Sequence, residues 1–293
     1  MAQPALHNEN GINPHRWACS DELGFCLRSI ANHAPWIDRI WIVTDEQTPD
    51  ISRLAPAMRA RVGIVDHRAL FSDHLAVLPT FNSLAIESLL WRIPNLSEQF
   101  LYFNDDVFLT GAVTPTDFFR GHKPVLRGKW TDQSALAANR DRTRDPALLH
   151  HNAQLNAAAM LGFAPDHIFA SGHVVHPLRR SVMAQLWAAH EGAFIANIQH
   201  RFRSAAQFQP QGLHNHACIK AGIAEIETAD DHLHLRTGAV ADYPLPEVAA
   251  YLRRALDPAV KFLCINDMPR LEEAMPDMRD WIERAIAPQR RAA

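Results

Sequence analysis

Apolar and polar positions along this chain alternate between two kinds of pattern. Short β-branched and aromatic runs that end in polar residues occur at 40–45, 62–66, 100–106 and 262–267, the pattern of buried strands with functional C-terminal ends. Between them, 3.6-residue periodicity predicts helices over 21–34 behind a Ser20 cap, 82–93, 178–190 and 247–256, and a terminal amphipathic helix over 271–287. Strands alternating with helices of this length predict βαβ units and a mainly parallel sheet, whose strand C-termini form the usual ligand crevice. Aspartates stand at the run-ends where that crevice would lie. The polar stretch 121–146, rich in Arg, Asp and Thr, reads as a surface connection or lid.

Composition narrows the partners more than the fold. The chain has 293 residues, 47% of them hydrophobic, enough for a sizeable core. Lys and Arg number 29 against 32 acids, a net charge of −3, which favours neither a nucleic-acid partner nor an anionic membrane surface. Cys19, Cys26, Cys218 and Cys264 form no CxxC pair and no disulfide framework, so a reducing, cytoplasmic compartment fits best. No secretory signal pattern is found over 1–14, and no run of eighteen apolar residues predicts a transmembrane segment.

Chemistry concentrates in Phe100-Leu-Tyr-Phe-Asn-Asp-Asp-Val-Phe-Leu109, an apolar strand interrupted by adjacent carboxylates that are costly to bury unpaired. Hard oxygen ligands there suit Mg²⁺ or Mn²⁺, which can bridge phosphate oxygens; the alternative is a solvated turn capped by Asn104 and the aspartates. Upstream, Leu78-Pro-Thr-Phe-Asn-Ser-Leu-Ala-Ile-Glu87 reads as a loop entering a helix with Asn82 or Ser83 as cap, and Glu87 one turn after Ser83 on the same face. Taken alone, Glu87 is more often a solvated helix carboxylate. Histidines and arginines gather at His150-His-Asn152, Gly172-His-Val-Val-His-Pro-Leu-Arg-Arg180, His200-Arg-Phe-Arg203 and His214-Asn-His216, where arginine suits phosphate oxygens and histidine suits proton transfer. Their spacings match no closed zinc motif.

Together with Ala34-Pro-Trp-Ile-Asp-Arg-Ile-Trp-Ile-Val-Thr-Asp45, Arg92-Ile-Pro-Asn-Leu-Ser97 and Cys264-Ile-Asn-Asp267, these segments resemble, in order and separation, the Stealth family of hexose-1-phosphate transferases. That family includes bacterial capsule-polymerising enzymes and the catalytic precursor of lysosomal GlcNAc-1-phosphotransferase. The resemblance implies a Rossmann-like or GT-A-like α/β fold with a more irregular helical second half, in a single catalytic domain over 1–293. It also implies transfer of a hexose-1-phosphate from a UDP-sugar to a hydroxyl of an oligosaccharide or polysaccharide acceptor in capsule or exopolysaccharide synthesis, releasing UMP. Glu87, Asp106, His173 and Arg203 match the family's essential acid, metal-proximal carboxylate, histidine and arginine. Arg28, Asn82, Ser83, Asn104, His176, Arg201 and Asn266 are the expected substrate contacts, and Asp105, Asp106 and Asp267 the expected ligands for Mg²⁺ or Mn²⁺. The match begins at Arg16, and the family's first conserved region, a strand ending in a Trp-Val-Asp-Gly type turn, has no counterpart ahead of it. The competing expectations are a metal-dependent glycosyltransferase releasing UDP and a non-catalytic sugar-nucleotide or glycan-binding protein.

Overall fold

The computed structural model describes residues 20–288 apart from 140 and 237; the expectations for 1–14, Arg16 and Cys19 lie outside the described residues. The first half contains α1 (Glu22–His33), β1 (Ile40–Thr44), α2 (Pro56–Arg59), β2 (Val62–Asp66), α3 (His67–Leu70), α4 (Ser83–Glu87), β3 (Gln99–Tyr102), β4 (Val107–Leu109), β5 (Phe119–Arg120), β6 (Lys123–Thr131) and α5 (Ser134–Ala138). There follow α6 (Leu149–Met160), β7 (Ile168–Ser171), β8 (His176–Arg179), α7 (Arg180–Ala189), α8 (Glu191–Ile198) and α9 (Pro210–Lys220). The chain closes with β9 (Glu225–Glu227), β10 (His232–Leu235), α10 (Ala239–Asp242), α11 (Leu245–Arg253), β11 (Phe262–Ile265), α12 (Met268–Ala274) and α13 (Met278–Ala285).

The α/β class is as expected, but the sheets are mixed rather than mainly parallel. β1 pairs β2, β10 pairs β11 and β9 pairs β6 in parallel, whereas β4–β11, β3–β8, β5–β6 and β6–β7 are antiparallel. The carboxylate turn explains part of this. β3 and β4 follow one another closely, yet β3 joins β8 and β4 joins β11, so the chain changes sheets across Asn104–Asp106. The expected surface stretch 121–146 instead contains β6, the central strand of a four-stranded sheet with Val125 and Leu126 buried, and α5.

Helix boundaries follow local chemistry. Asp21, not Ser20, occupies the N-cap of α1. Ser20 instead donates to the Glu272 carboxylate at 2.9 Å. The predicted 82–93 helix stops at Glu87; the Ser88 hydroxyl donates back to the Leu84 carbonyl at 2.8 Å, a bond that competes with the helical ladder, and only a 3₁₀ turn follows. Pro276 divides the predicted terminal helix into α12 and α13, because proline disfavours helical geometry in the residue before it.

The main core packs α1 and the C-terminal helices around β4, β10 and β11. Phe25 meets Phe108 edge-on at 6.4 Å, and the cluster runs in sequence from Phe25 to Ile286. Smaller clusters lie under α4 with β2 and among α6, α7, α8 and α9. These cores set the neighbours of the carboxylate turn: β8 flanks it through β3, and β11 with β10 flanks it through β4.

A carboxylate, histidine and arginine centre

Strand register delivers the first half of the centre. Val107 lies opposite Cys264, and the Asp106 carbonyl accepts the Ile265 N–H at 3.0 Å, which brings Asn266 beside the Asp106 side chain. Asn266 Nδ2 donates to Asp106 Oδ2 at 2.6 Å, and its Oδ1 lies 2.6 Å from His234 Nε2. With the amide oxygen facing the imidazole, His234 Nε2 is the protonated nitrogen. The His173 ring stacks on His234 with centroids 4.0 Å apart, and His150 stacks on His173 at 4.9 Å. Burial, then the neighbouring His234, His150 and Arg203, hold His173 at about 3; burial, then His151, Arg203, His234 and His176, hold His150 at about 4. The stack is therefore neutral at physiological pH.

The second half hangs on Glu87, the last residue of α4 and only 7% exposed. Tyr102 hydroxyl lies 2.9 Å from Glu87 Oε1 and 2.5 Å from Asn104 Oδ1. One phenol proton cannot serve two acceptors. The arrangement closes when Glu87 carries a proton and donates to the phenol, or when Asn104 turns its amide nitrogen toward it. Burial raises the Glu87 carboxyl above its ordinary range, opposed by Arg203, Tyr102, Ser83 and Gln211, and its Oε2 is buried without a hydrogen bond. Tyr102 in turn stacks on the buried ring of His176, its cross-strand partner.

Arg203 links the two halves. Its Nη2 donates to Ser83 Oγ at 2.8 Å, and its charge acts on Glu87, Tyr102, His150 and His173. The loop carrying it is tied to the entrance of α4. Phe81 N–H donates to the Arg201 carbonyl at 3.0 Å, Arg201 Nε donates to the Pro79 carbonyl at 2.9 Å, and Asn82 Nδ2 reaches the His200 carbonyl at 2.8 Å and Gln207 Oε1 at 2.9 Å.

The structure thus gathers Ser83, Glu87, Asn104, Asp105, Asp106, His173, His176, Arg203 and Asn266, and assigns other surroundings to the remaining candidates. Arg28 pairs with Glu283 at 2.9 Å and Asp21 at 3.6 Å on α1. Asn82 is fully buried, caps α4 through Leu84 N–H, and uses its amide on the loop just described, so it is a scaffold residue. Arg201 serves the same clamp. Asp267 adopts a left-handed backbone (φ 60°) at the start of α12 and lines an open cleft of about 410 Å³ with Arg236, Arg270 and Asn266.

A divalent cation fits the carboxylate turn. Asp106 Oδ1 is buried with no hydrogen bond, and burial together with the Asp105 charge pushes the Asp106 carboxyl up to about 6, the signature of a charge lacking its counter-charge. Adjacent aspartate oxygens are the donor set that Mg²⁺ or Mn²⁺ takes. A second, softer donor set converges next to it: the ligand atoms of His173, His234 and Cys264 lie within 4.8 Å of one another. That convergence comes from three separate elements, so no sequence spacing announced it.

Sequence reasoning missed Tyr102, His234 and the role of His150. The alternation His232-Leu-His-Leu235 was a period-two strand signal; Leu233 and Leu235 are buried, and it placed His232 and His234 together on the opposite face.

The fold and centre define an α/β protein in which buried Glu87 and His176 and partly buried Asp106 and His173 stand beside an exposed arginine, Arg203, a set suited to anionic phosphoryl chemistry. Residues 16–125 match the family profile of Stealth protein CR2, conserved region 2. The chain is 33% identical over 292 residues to an exopolysaccharide phosphotransferase of Nocardia farcinica, covering 92% of this chain and 54% of that protein. It is 34% identical over 219 residues to an exopolysaccharide phosphotransferase of Streptomyces coelicolor (74% and 35%). With the capsular polysaccharide phosphotransferase LcbA of Aeromonas hydrophila it shares 33% over 206 residues (67% and 52%). The chain belongs to the Stealth family. It spans between about a third and about half of the length of these relatives. Among the described residues, no helix is long and apolar enough to cross a membrane.

Proposed function

We propose that this chain transfers a hexose-1-phosphate, such as GlcNAc-1-phosphate, from a UDP-sugar to a hydroxyl of a glycan acceptor in capsule or exopolysaccharide synthesis. The observation that carries this reading is the convergence of Glu87, Asp106, His173 and Arg203 on one carboxylate turn, in a chain whose relatives are named as polysaccharide phosphotransferases. In the reaction, the acceptor oxygen bonds to the phosphorus that carries the sugar. The bond from that phosphorus to the oxygen bridging the two phosphates breaks, and UMP leaves with the electron pair. The acceptor proton passes to a base.

Asp105 and Asp106 would hold a divalent cation, which would supply positive charge to offset the diphosphate. Asn266 orients the Asp106 carboxylate by occupying its other oxygen. Arg203, braced by Ser83, presents a guanidinium to the phosphoryl oxygens, matching them in geometry and sign. His173 is the first candidate for the base and Glu87 the second. In the free protein His173 is a weak base, and a bound diphosphate that offsets Arg203 removes one cause of that weakness.

The test is product identity and its pH dependence. UDP-GlcNAc with Mg²⁺ or Mn²⁺ and an acceptor yields UMP on this reading, whereas glycosyl transfer yields UDP. Single-turnover rates against pH for wild type, His173→Ala and Glu87→Gln then assign the base. Asp106, held at about 6 without a cation, is drawn lower by the cation in this assay, so an acid limb of kcat/KM near neutrality that survives in His173→Ala belongs to a group other than His173. Loss of rate in His173→Ala across the whole pH range assigns the proton to His173, and retention of rate rules it out.

A further inference from the structure

Two phenyl rings stand exposed beside the centre. Phe81 is 48% and Phe202 38% exposed, and they stack on each other with centroids 5.6 Å apart and planes inclined by 18°. Exposed stacked aromatics are costly to leave facing water unless they meet a ligand. The pair is also held in place: the Phe81 N–H, the Thr80 hydroxyl and the Arg201 guanidinium are all engaged in bonds between residues 79–82 and 200–201.

Position says what the pair faces. Phe81 precedes Ser83 by two residues, Phe202 adjoins Arg203, and Ser83 and Arg203 are hydrogen-bonded to each other next to Glu87. The aromatic pair therefore adjoins the phosphoryl-handling arginine and the serine that braces it. We infer that Phe81 and Phe202 form the acceptor subsite, stacking against the apolar face of a pyranose ring and presenting its hydroxyl to the centre. This rests on the phosphotransfer reading for the position of the reacting phosphorus.

Chemistry favours a sugar over the donor's nucleobase. A base is read by polar groups converging on its edge, and beside these rings the Thr80 hydroxyl, the Phe81 N–H and the Arg201 Nε are engaged in the loop clamp. A pyranose needs an aromatic face for its C–H side, with its hydroxyls left to water and to the neighbouring arginine. A rigid pair at a loop junction meets that need with little ordering cost.

The experiment is saturation-transfer NMR with maltotetraose, cellotetraose and chitotetraose, on the full chain and on Phe81→Ala, Phe202→Ala, the double variant and Phe202→Tyr. Both rings are exposed, so the variants should keep the wild-type melting curve. At least one tetrasaccharide should bind wild type through the protons of one ring face. Each alanine should weaken that binding by about tenfold, with Phe202→Tyr retaining it. In turnover, KM for the acceptor should rise while KM for UDP-GlcNAc stays unchanged. The assignment falls if no tetrasaccharide binds wild type, if the double variant binds them equally well, or if it loses UDP-GlcNAc instead. It falls too if wild type sediments as a dimer that the double variant dissociates without any change in glycan binding. Tetrasaccharide binding is read without turnover, so a donor yielding UDP or no product would overturn the phosphotransfer reading while leaving this result distinct.

Discussion

Two sets of buried charged groups in this fold are treated in opposite ways. Arg127 and Asp231, 4% and 5% exposed, satisfy one another completely: Nε donates to both carboxylate oxygens at 3.0 and 2.9 Å and Nη2 to Oδ2 at 2.8 Å. Arg127 Nη1 reaches the Asp117 carbonyl at 2.8 Å, and the guanidinium lies 4.6 Å from the Phe262 ring centroid. Burial pushes the Asp231 carboxyl up, but His232 and Arg127 outweigh it and hold the group below its ordinary range. At the centre, Asp106 and Glu87 keep a buried oxygen without a hydrogen bond, and both carboxyls sit above their ordinary range. A buried charge with every bond made is scaffold. One left with a bare oxygen is held ready for a cation or substrate, and the fold tolerates the cost.

Asp106→Asn breaks the comparison most sharply. Turnover should fall by roughly 10³-fold or more, as expected when charge stabilisation at the reacting group is lost. Stability at pH 7.5 should nevertheless rise by about 1–3 kcal/mol, because a carboxyl raised in the folded state destabilises once it ionises. That gain is full above about pH 6 and vanishes below the unfolded carboxylate range, so urea unfolding at pH 7.5 and pH 4 measures it. An Asn variant less stable at pH 7.5 would contradict the bare-oxygen reading.

Asp231→Ala is the mirror experiment. It strands Arg127 in the core and should cost about 3–5 kcal/mol, seen as a lower urea midpoint, while the folded fraction keeps its KM for the donor. Arg203→Lys comes next: kcat should drop by about 10²-fold with an unchanged melting curve, since lysine keeps the charge but loses the planar fork. An unchanged kcat would remove Arg203 from the phosphoryl contact.

The smallest effect concerns protons on the histidine stack. His173 and His176 are held at about 3 and His150 and His214 at about 4, each chiefly by burial. A base with a lowered folded pKa contributes its stability in full above about 6.5 and loses it as pH falls toward the folded value, because the unfolded chain alone takes up protons. The urea midpoint should therefore fall between pH 7 and pH 5. His173→Phe should flatten that dependence by about 1 kcal/mol per pH unit below 6.5. An unaltered slope would mean that His173 is protonated in the folded chain.

Much of the fold was legible where one element's periodicity sufficed. The predicted helix over 21–34 is α1, and the runs at 40–45, 62–66 and 262–267 contain β1, β2 and β11. β6 was not, because its polar residues Lys123, Arg127, Lys129 and Thr131 obscure the buried Val125 and Leu126. Arg127 looks like a loop residue until Asp231, far along the chain, arrives to pair with it. Arg28 and Asp267 carry the expected chemistry in the expected motifs; α1 turns Arg28 to Glu283, and a left-handed backbone places Asp267, its Oδ2 buried without a hydrogen bond, on the cleft that Asn266 also lines.

By itself the sequence determined which chemistry was available: adjacent oxygen ligands ending an apolar strand, a carboxylate one turn into a helix, and a second half rich in imidazole and guanidinium. Residue type and local spacing suffice for that, because ligand hardness, charge and short-range backbone preference are properties of the residues themselves. Only the tertiary structure decided which groups meet. The change of sheets at the carboxylate turn sets Asp106 against Asn266 and His234, and the clamp between residues 79–82 and 200–201 sets Arg203 against Ser83. Both depend on strand pairing and packing between distant segments, and so do burial and the protonation states that follow from it.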